Sequence, residues 1–455
     1  DKRLNEAYRA WIGYSRLLVD KIGEFYELHD GAGFYEENYG YSVLLHCIAL
    51  DEYGMHESAE KYLDSVLHLQ QSDGLYTQNF GLADQGMLLT ALARHYDVTR
   101  DKSWLQRVSK NIVSAGNWLI EQRKLAPTSG VTKGLINFRP YCDYTAAEFN
   151  YCGDACCCVG LEKASAALRS IGMTAEAELF TSEARRYRAD ILSSMDAAVF
   201  RRDGQNLLPL VPDTHRILKD SNYTGRDYYS LISGCLLDSG FLPAEDRRAY
   251  LITDLLEQNN GLLGGLCRWG ADGVDHAYAL GYLLTALQRG EPRTAIMGLY
   301  GFLAYGMTQD TYSGVECTMA VTGANYWTLP HLYSCTQQLR LLRNMLIRED
   351  GDTLRLGDAM PRQWLEDGKR FALKDVPTQF GNVSLTTHAT SKTISMHLDP
   401  PTRSMPGLIK ITLRHPSDAA IRSVAVDGRV WNDFTRDSVE LRGINKPTNI
   451  MVNYR

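Results

Sequence analysis

The rhythm of its connections constrains this chain more than any single motif. Apolar residues recur at spacings of three and four over twelve segments: roughly 3–23, 40–53, 56–71, 82–97, 101–123, 145–170, 174–195, 226–238, 243–258, 273–289, 291–305 and 324–347. That is the period of helices with a buried face. Short turns such as Tyr53-Gly54-Met55, Ile171-Gly172-Met173 and Arg289-Gly290-Glu291 join some neighbours and make those pairs antiparallel. Between them lie six long connections, roughly 24–39, 72–81, 124–144, 196–225, 259–272 and 306–323. Six helical hairpins joined by long links predict a closed ring, an (α/α)6 barrel, with the long loops gathered at one end. An open solenoid would carry a repeat at fixed period, and none is visible.

The grammar changes after Glu349. Asp350-Gly351-Asp352 is a turn, and short alternating segments follow, among them Thr353–Leu356, Gly368–Leu373, Gly381–Thr387, Thr393–Leu398, Gly407–Leu413, Ser423–Val426, Ser438–Leu441 and Asn449–Val452. Turn residues separate them at short intervals, which predicts a small C-terminal β-sandwich. Two domains are expected, 1–349 and 350–455, in keeping with a length of 455 residues.

Charge and composition exclude several classes. A net charge of −6 argues against nucleic acid, whose phosphates need a basic partner surface. No apolar run approaches the ~18 residues of a membrane span. The chain opens Asp1-Lys2-Arg3 directly into helical periodicity, with no signal-like stretch. Of ten cysteines, Cys142, Cys152, Cys156, Cys157 and Cys158 fall within seventeen residues. In a Gly/Ala-rich helical stretch they are expected to act as small buried hydrophobes rather than zinc ligands, since no CxxC pair is present. No nucleotide-binding, HExxH or G-x-S-x-G motif is present either, so no cofactor or metal is expected.

The long loops carry the candidate chemistry. They hold Phe34-Tyr35-Glu36-Glu37-Asn38-Tyr39, Asp73-Gly74-Leu75-Tyr76-Thr77-Gln78-Asn79, Phe138-Arg139-Pro140-Tyr141-Cys142-Asp143-Tyr144, Arg268-Trp269-Gly270-Ala271-Asp272 and Tyr312-Ser313-Gly314-Val315-Glu316. Aromatics interleaved with carboxylates and amides suit a polyhydroxylated ligand, because C–H faces stack on rings while hydroxyls take directed hydrogen bonds. Such loops also occur at protein interfaces. The candidate contacts are Glu37, Tyr39, Gln78, Asp84, Arg139, Tyr144, Arg268, Trp269, Asp275, His276, Tyr326 and Trp327. Each has a duller reading. Asp84 in a first helical turn suits the helix dipole, His276 on a packed helix suits a core, and Arg139 and Arg268 suit surface ion pairs. Asp154, deeper in its helix, is expected to satisfy a buried polar contact.

The architecture resembles the six-hairpin, or (α/α)6-barrel, glycoside hydrolases, a grouping that includes glucoamylases and α-L-rhamnosidases. Two stretches carry the resemblance. One is the loop-and-helix pattern of 25–347, including Gly301-Phe302-Leu303-Ala304-Tyr305-Gly306-Met307-Thr308 leading to Glu316. The other is the junction from Leu341 to Leu385, with Leu342-Arg343-Asn344-Met345-Leu346-Ile347, Asp352-Thr353-Leu354, Pro361-Arg362-Gln363-Trp364-Leu365 and Pro377-Thr378-Gln379-Phe380-Gly381. These folds usually carry a further β-domain before the barrel, and none is expected here from the helical pattern that starts near residue 3.

The resemblance implies a soluble bacterial enzyme of cytoplasm or periplasm, acting on a carbohydrate with two carboxyl groups as acid and base. Glu316, ahead of the last helix, would be the base of an inverting reaction. The acid would fall between the fifth and sixth helices, at Asp143 or Glu148, although Thr145-Ala146-Ala147-Glu148 also reads as a capping box. Two rivals share the fold. A polysaccharide lyase would pair Arg139 or Arg268 with a uronate, and a glycan-binding barrel would bind without turnover.

Overall fold

The computed structural model describes residues 1–141, 143, 146–212 and 227–454, apart from the side chains of Asp227, Tyr228 and Ser230. Among them are twelve α-helices: α1 (Lys2–Ser15), α2 (Gly40–Glu52), α3 (His56–His68), α4 (Leu82–Thr99), α5 (Lys102–Lys124), α6 (Tyr151–Ser170), α7 (Thr174–Ala198), α8 (Asp227–Asp238), α9 (Arg247–Gln258), α10 (Leu280–Gln288), α11 (Pro292–Tyr305) and α12 (Leu332–Leu346).

Their burial divides them into two sets. Every residue of α2 is buried, and α4, α6 and α12 are buried over most of their surface. By contrast α1, α3, α5 and α9 bury a single stripe, such as Leu4, Ala7, Trp11 and Ser15 on α1. A helix apolar on all faces must be surrounded, whereas an amphipathic one sits at the edge. The packing follows: α2 lies on α4, α4 on α6, α6 on α8, α8 on α10, α10 on α12 and α12 on α2, while α3, α5, α7, α9 and α11 each pack on the helix before them.

Close approach depends on glycines. A Cβ on Gly86 of α4 would sit 2.2 Å from the carbonyl carbon of Cys156 in α6. One on Gly160 of α6 would sit 2.5 Å from the Gly86 oxygen. The cysteines of α6 fill the same seam. Cys152, Cys156, Cys157 and Cys158 are free and buried, and the Cys157 and Cys158 thiols donate to the carbonyls of Leu82 and Ala184. Cys142 lies outside the described residues.

Three hairpins decorate the helices: β1 (Val19–Ile22) with β2 (Phe25–Leu28), β3 (Asn137–Phe138) with β4 (Glu148–Phe149), and β5 (Phe200–Arg202) with β6 (Gln205–Leu207). The fifth and sixth long connections together form a five-stranded sheet. It comprises β7 (Leu262–Leu263), β8 (Leu266–Trp269), β9 (Gly273–Asp275), β10 (Cys317–Met319) and β11 (Asn325–Tyr326), in the order β11-β10-β9-β8-β7.

After α12 the chain is β-structured: β12 (Ile347–Asp350), β13 (Thr353–Leu356), β14 (Arg370–Val376), β15 (Val383–Ala389), β16 (Thr393–Asp399), β17 (Leu408–Thr412), β18 (Ile421–Val426), β19 (Arg429–Trp431), β20 (Ser438–Leu441) and β21 (Thr448–Tyr454). They form a four-stranded sheet, β12-β13-β17-β20, and a six-stranded one, β14-β15-β16-β21-β18-β19. Burial alternates along β15 and β21, as one-sided packing requires. The two regions are tied by a buried ion cluster. Glu349 of β12 meets Arg94 of α4 at 3.1 Å and Arg343 of α12 at 2.7 Å, and Arg94 also meets Glu52 of α2 at 3.1 Å.

Four predicted helix boundaries are corrected. The first helix ends at Ser15 rather than near 23, because the chain turns at Gly23 (φ +62°) into the β1–β2 hairpin. The sixth begins at Tyr151, with the Asn150 side chain accepting from the Cys152 N–H at 2.8 Å. Glu148 therefore lies in β4 and not in the first turn of a helix; Thr145 lies outside the described residues. Gly273–Asp275 is a strand, and α10 starts only at Leu280. The last helix starts at Leu332 instead of 324, since Pro330 disfavours helical geometry just ahead of it.

The Gly86 seam gives a direct test. Gly86→Ala forces α4 from α6 and is expected to cost about 1–3 kcal/mol or more in urea unfolding. Gly13→Ala, in α1 with open space around it, should be neutral or stabilise by up to ~1 kcal/mol. Equal effects of the two would contradict the packing described.

Candidate active site

The first and last long connections are clasped together. The Leu332 N–H donates to the Asp30 carbonyl at 2.7 Å, Gly31 and His331 form an antiparallel bridge, and the Thr328 hydroxyl donates to the Ala32 carbonyl at 3.1 Å. Residues some 300 apart in sequence thus share one small volume.

At its centre is a buried ion pair. Asp30 is 4% exposed and His331 3%. Asp30 accepts the Ser42 hydroxyl at 2.7 Å through Oδ1, and its Oδ2 lies 3.3 Å from His331 Nε2. On the other side, His331 Nδ1 is 2.7 Å from the Ser334 oxygen, whose hydroxyl donates to the Val315 carbonyl at 2.7 Å. Ser334 has one proton and spends it there, so Nδ1 of His331 is the donor. Nε2 faces a carboxylate, so the ring is held as a cation. Burial opposes that charge, but Asp30, then Glu316 and Asp275, outweigh it and raise the imidazole pKa.

Glu316 sits beside this pair, immediately before β10. Its Oε1 accepts the Tyr35 hydroxyl at 3.0 Å, while Oε2 is buried without a well-formed hydrogen bond. Burial raises the Glu316 pKa above the ordinary glutamate value; the His331 cation, the Tyr35 hydroxyl and the Thr328 backbone amide oppose it without cancelling it. Asp275, at the end of β9, lies directly across from Cys317 in the sheet and is buried. His276 is fully buried with neither ring nitrogen hydrogen-bonded, and burial followed by the nearby His331 charge lowers its pKa to about 3. It is neutral, and its ring meets Phe302 edge to face at 6.2 Å.

An aromatic rim continues from the same loops. Trp269 of β8 and Trp327 meet edge to face at 6.0 Å, with Tyr326 6.3 Å from Trp327. Trp327 and Tyr326 are 43% and 49% exposed, and Trp327 holds a left-handed backbone (φ +70°) that a bulky residue rarely adopts. Tyr39 packs on Tyr35 at 5.0 Å. Below lies a buried cluster in which Tyr41 stacks on Phe80, Phe80 meets Tyr141 and Tyr278 meets Tyr333, each at 5.0 Å.

The remaining candidates take other places. Gln78, Asp84 and Arg139 form a second group: Asp84 Oδ2 accepts the Gln78 and Phe80 amides at 2.8 and 2.9 Å, and Arg139 donates to the Gln78 carbonyl. Asp84 is fully buried and shapes the second loop through these amides, while its Oδ1 has no well-formed hydrogen bond. Glu37 is exposed, its carbonyl accepting from Asp30. Arg268 folds back onto the Ala271 carbonyl. Asp143 is exposed, Glu148 is half-buried opposite Phe138, and Tyr144 lies outside the described residues. Asp154 does satisfy a buried contact, accepting the Ile136 amide at 2.9 Å and the Tyr187 hydroxyl. Sequence reasoning missed Asp30, Tyr35 as a partner of Glu316, His331 and Ser334. Tyr35 stood in a flagged aromatic loop, but His331 was hidden inside a stretch read as helix.

Among the described residues no group of three or more His, Cys, Asp or Glu is arranged to hold a metal ion, and no helix is long and apolar enough to cross a membrane. Solved structures share the fold. An α-L-rhamnosidase from Dictyoglumus thermophilum aligns with all of this chain at 12% identity and a TM-score of 0.59, over 49% of its own length. The Streptomyces avermitilis α-L-rhamnosidase complexed with L-rhamnose aligns with all of it at 14% and 0.57, over 41% of its length. A bacterial glucoamylase complexed with acarbose aligns with 76% of it at 10% and 0.50, over 56% of its length. The chain thus spans about half the length of these rhamnosidases or less. No protein-family model and no curated protein matches the sequence. The likeness is one of fold, and that fold is six-hairpin glycosidase-like.

Asp84 makes a pH prediction. Burial raises its pKa from 3.8 to about 7, against the pull of the Gln78 and Phe80 amides. An acid that binds its proton more tightly when folded adds stability while protonated and loses it as pH rises through the folded value. Asp84→Asn keeps one oxygen for both amides and removes the titration. From pH 5 to pH 8.5 the wild type should lose ~1–3 kcal/mol relative to the variant in urea unfolding. Parallel pH curves would contradict the assignment.

Proposed function

We propose that the chain is a glycoside hydrolase acting at the clasp of its first and last loops, with Glu316 as the proton-transferring carboxylate. The observation that carries this reading is Glu316 itself. One oxygen is fixed by Tyr35, the other is buried without a well-formed hydrogen bond, and an imidazolium held by Asp30 stands alongside. A water or sugar hydroxyl reaching Oε2 would meet an acceptor oriented in advance. The aromatic rim of Trp269, Tyr326 and Trp327 suits sugar rings, and the structural relatives named above include enzymes captured with L-rhamnose and acarbose.

The finer reading has three parts. The helices form a closed (α/α)6 barrel in domain 1–349, supported by the packing of α12 back on α2, and residues 350–455 form a β-sandwich, supported by their two sheets. The reaction inverts the anomeric centre, with Glu316 activating water and Asp143 or Glu148 protonating the leaving oxygen across a gap of about 6.5–9.5 Å. The substrate is a neutral glycan. The guanidinium groups of Arg139 and Arg268, the candidates for pairing a uronate, are bonded to backbone carbonyls, which favours hydrolysis over elimination.

The test is release of sugar from aryl glycosides and oligosaccharides by wild type and three variants, each checked for folding. Glu316→Gln should lose activity at least ~100-fold, and one of Asp143→Asn and Glu148→Gln should lose a comparable amount. Undiminished turnover in Glu316→Gln would remove the residue from the chemistry. An unsaturated product absorbing in the ultraviolet would make the protein a lyase, and tight binding without turnover a glycan-binding barrel.

A further inference from the structure

The segment that carries Glu316 is held against the start of α12. The His331 N–H donates to the Gly314 carbonyl at 2.9 Å, and the Ser334 hydroxyl donates to the Val315 carbonyl at 2.7 Å. Gly314 approaches so closely that a Cβ there would sit 2.5 Å from the Cys335 sulfur. The Val315 carbonyl belongs to the same planar peptide as the Glu316 nitrogen. The Ser334 bond therefore sets the plane from which the Glu316 side chain departs.

The Ser334 hydroxyl is itself set from the first loop. Its one proton goes to the Val315 carbonyl, so its oxygen receives the Nδ1 proton of His331 at 2.7 Å. The opposite ring nitrogen, Nε2, faces Asp30 Oδ2 at 3.3 Å, and the other oxygen of Asp30 is fixed by the Ser42 hydroxyl of α2. A continuous line runs from α2 through Asp30, His331 and Ser334 to the backbone of Glu316, and every side chain in it is at least nine-tenths buried.

The titratable groups facing this line come from each element packed on it. Tyr35 stands in the first loop, His46 on α2, Asp275 at the end of β9 with His276 after it, and Glu316 ahead of β10. Burial lowers the pKa values of His46 and His276 to about 3. Among these described groups His331 therefore carries the positive charge.

We propose that Asp30 and Ser334 are positioning residues for Glu316, acting through the ring of His331. Asp30 keeps the ring charged and aligned, and Ser334 passes that alignment to the Glu316 peptide. Both roles presuppose that Glu316 is the proton-transferring carboxylate, as proposed above. The two ends of the line differ in what they control. Without the Asp30 charge, burial discharges His331, and the neutral ring no longer favours the Glu316 carboxylate; that loss outweighs the direct repulsion removed with Asp30. Glu316 then keeps its proton to higher pH. Without the Ser334 hydroxyl the charges stay and the peptide plane is freed.

The experiment is the pH profile of kcat and KM on an aryl glycoside for wild type, Asp30→Asn, Ser334→Ala and Ser334→Thr, beside NMR titration of the Glu316 carboxyl in each folded variant. Asp30→Asn should move the acid limb of kcat/KM to higher pH, and the Glu316 midpoint with it. Ser334→Ala should lower kcat about ten- to a hundredfold with KM and the acid limb unchanged. Ser334→Thr, which keeps the hydroxyl, should recover most of that loss. A rise in KM with kcat intact would make either residue a substrate contact and overturn its assignment. A Glu316 midpoint that Asp30→Asn leaves in place would do the same for Asp30, and equal loss in the Ala and Thr variants for Ser334. Should Asp30→Asn fail to fold, the Ser334 pair decides. With no glycoside hydrolysed by wild type, a midpoint raised in Asp30→Asn would keep the line from Asp30 to Glu316 and remove the catalytic reading. An unmoved midpoint in an enzyme that Glu316→Gln inactivates would remove the line and keep the reading.

Discussion

A helix that is apolar on every face can be stable only when other helices surround it, and α2 sets that condition for the molecule. All thirteen of its residues are buried, so it needs α4 on one side, α12 on another and α3 behind it. The same holds for α4 and α6, whose glycines let their backbones touch. Once the inner helices are sealed laterally, polar chemistry has room only at their ends. At the N-terminal ends of α2 and α12 the chain places Asp30, Tyr35, Glu316 and His331; at the C-terminal ends it places Glu52 and Arg343.

The ends are then specialised by how their charges are paired. At the far end Arg94, Arg343, Glu52 and Glu349 neutralise one another and join helices to strands, an arrangement that costs desolvation and returns geometry. At the loop end the pairing is incomplete. One imidazolium stands among Asp30, Glu316 and Asp275, and burial lifts the Glu316 pKa, with Oε2 left without a well-formed hydrogen bond. A carboxyl whose pKa is raised by burial is what the proposed proton transfer asks for.

Helices were legible because their period runs over many residues, and the C-terminal strands because alternation is bounded by turns. The clasp was not. Asp30 and His331 are 301 positions apart, and nothing local in either marks the other. Pro330 announced a break, but helix-like spacing on both sides of it masked the signal, and with it His331. Glu316 drew notice in the sequence because it closes a loop of hydroxyl-bearing residues, Thr308, Thr311, Tyr312 and Ser313, ahead of the last helix. The local pattern misled at Glu148, where Thr145-Ala146-Ala147-Glu148 fits a capping box while the helix is capped by Asn150 five residues on. It also misled at Asp275 and His276, whose apolar neighbours read equally well as helix or as the strand that ends at Asp275.

The central claim is that Glu316 is a carboxyl held near its proton by burial and restrained by Tyr35 and the His331 cation. The most direct measurement is the titration of its carboxyl carbon by NMR in glutamate-labelled protein, assigned with Glu316→Gln. The account predicts a midpoint above the ordinary glutamate value of 4.5, moving higher in Tyr35→Phe because a hydrogen bond favouring the charged form is gone. A midpoint at or below 4.5 that Tyr35→Phe leaves in place would contradict it.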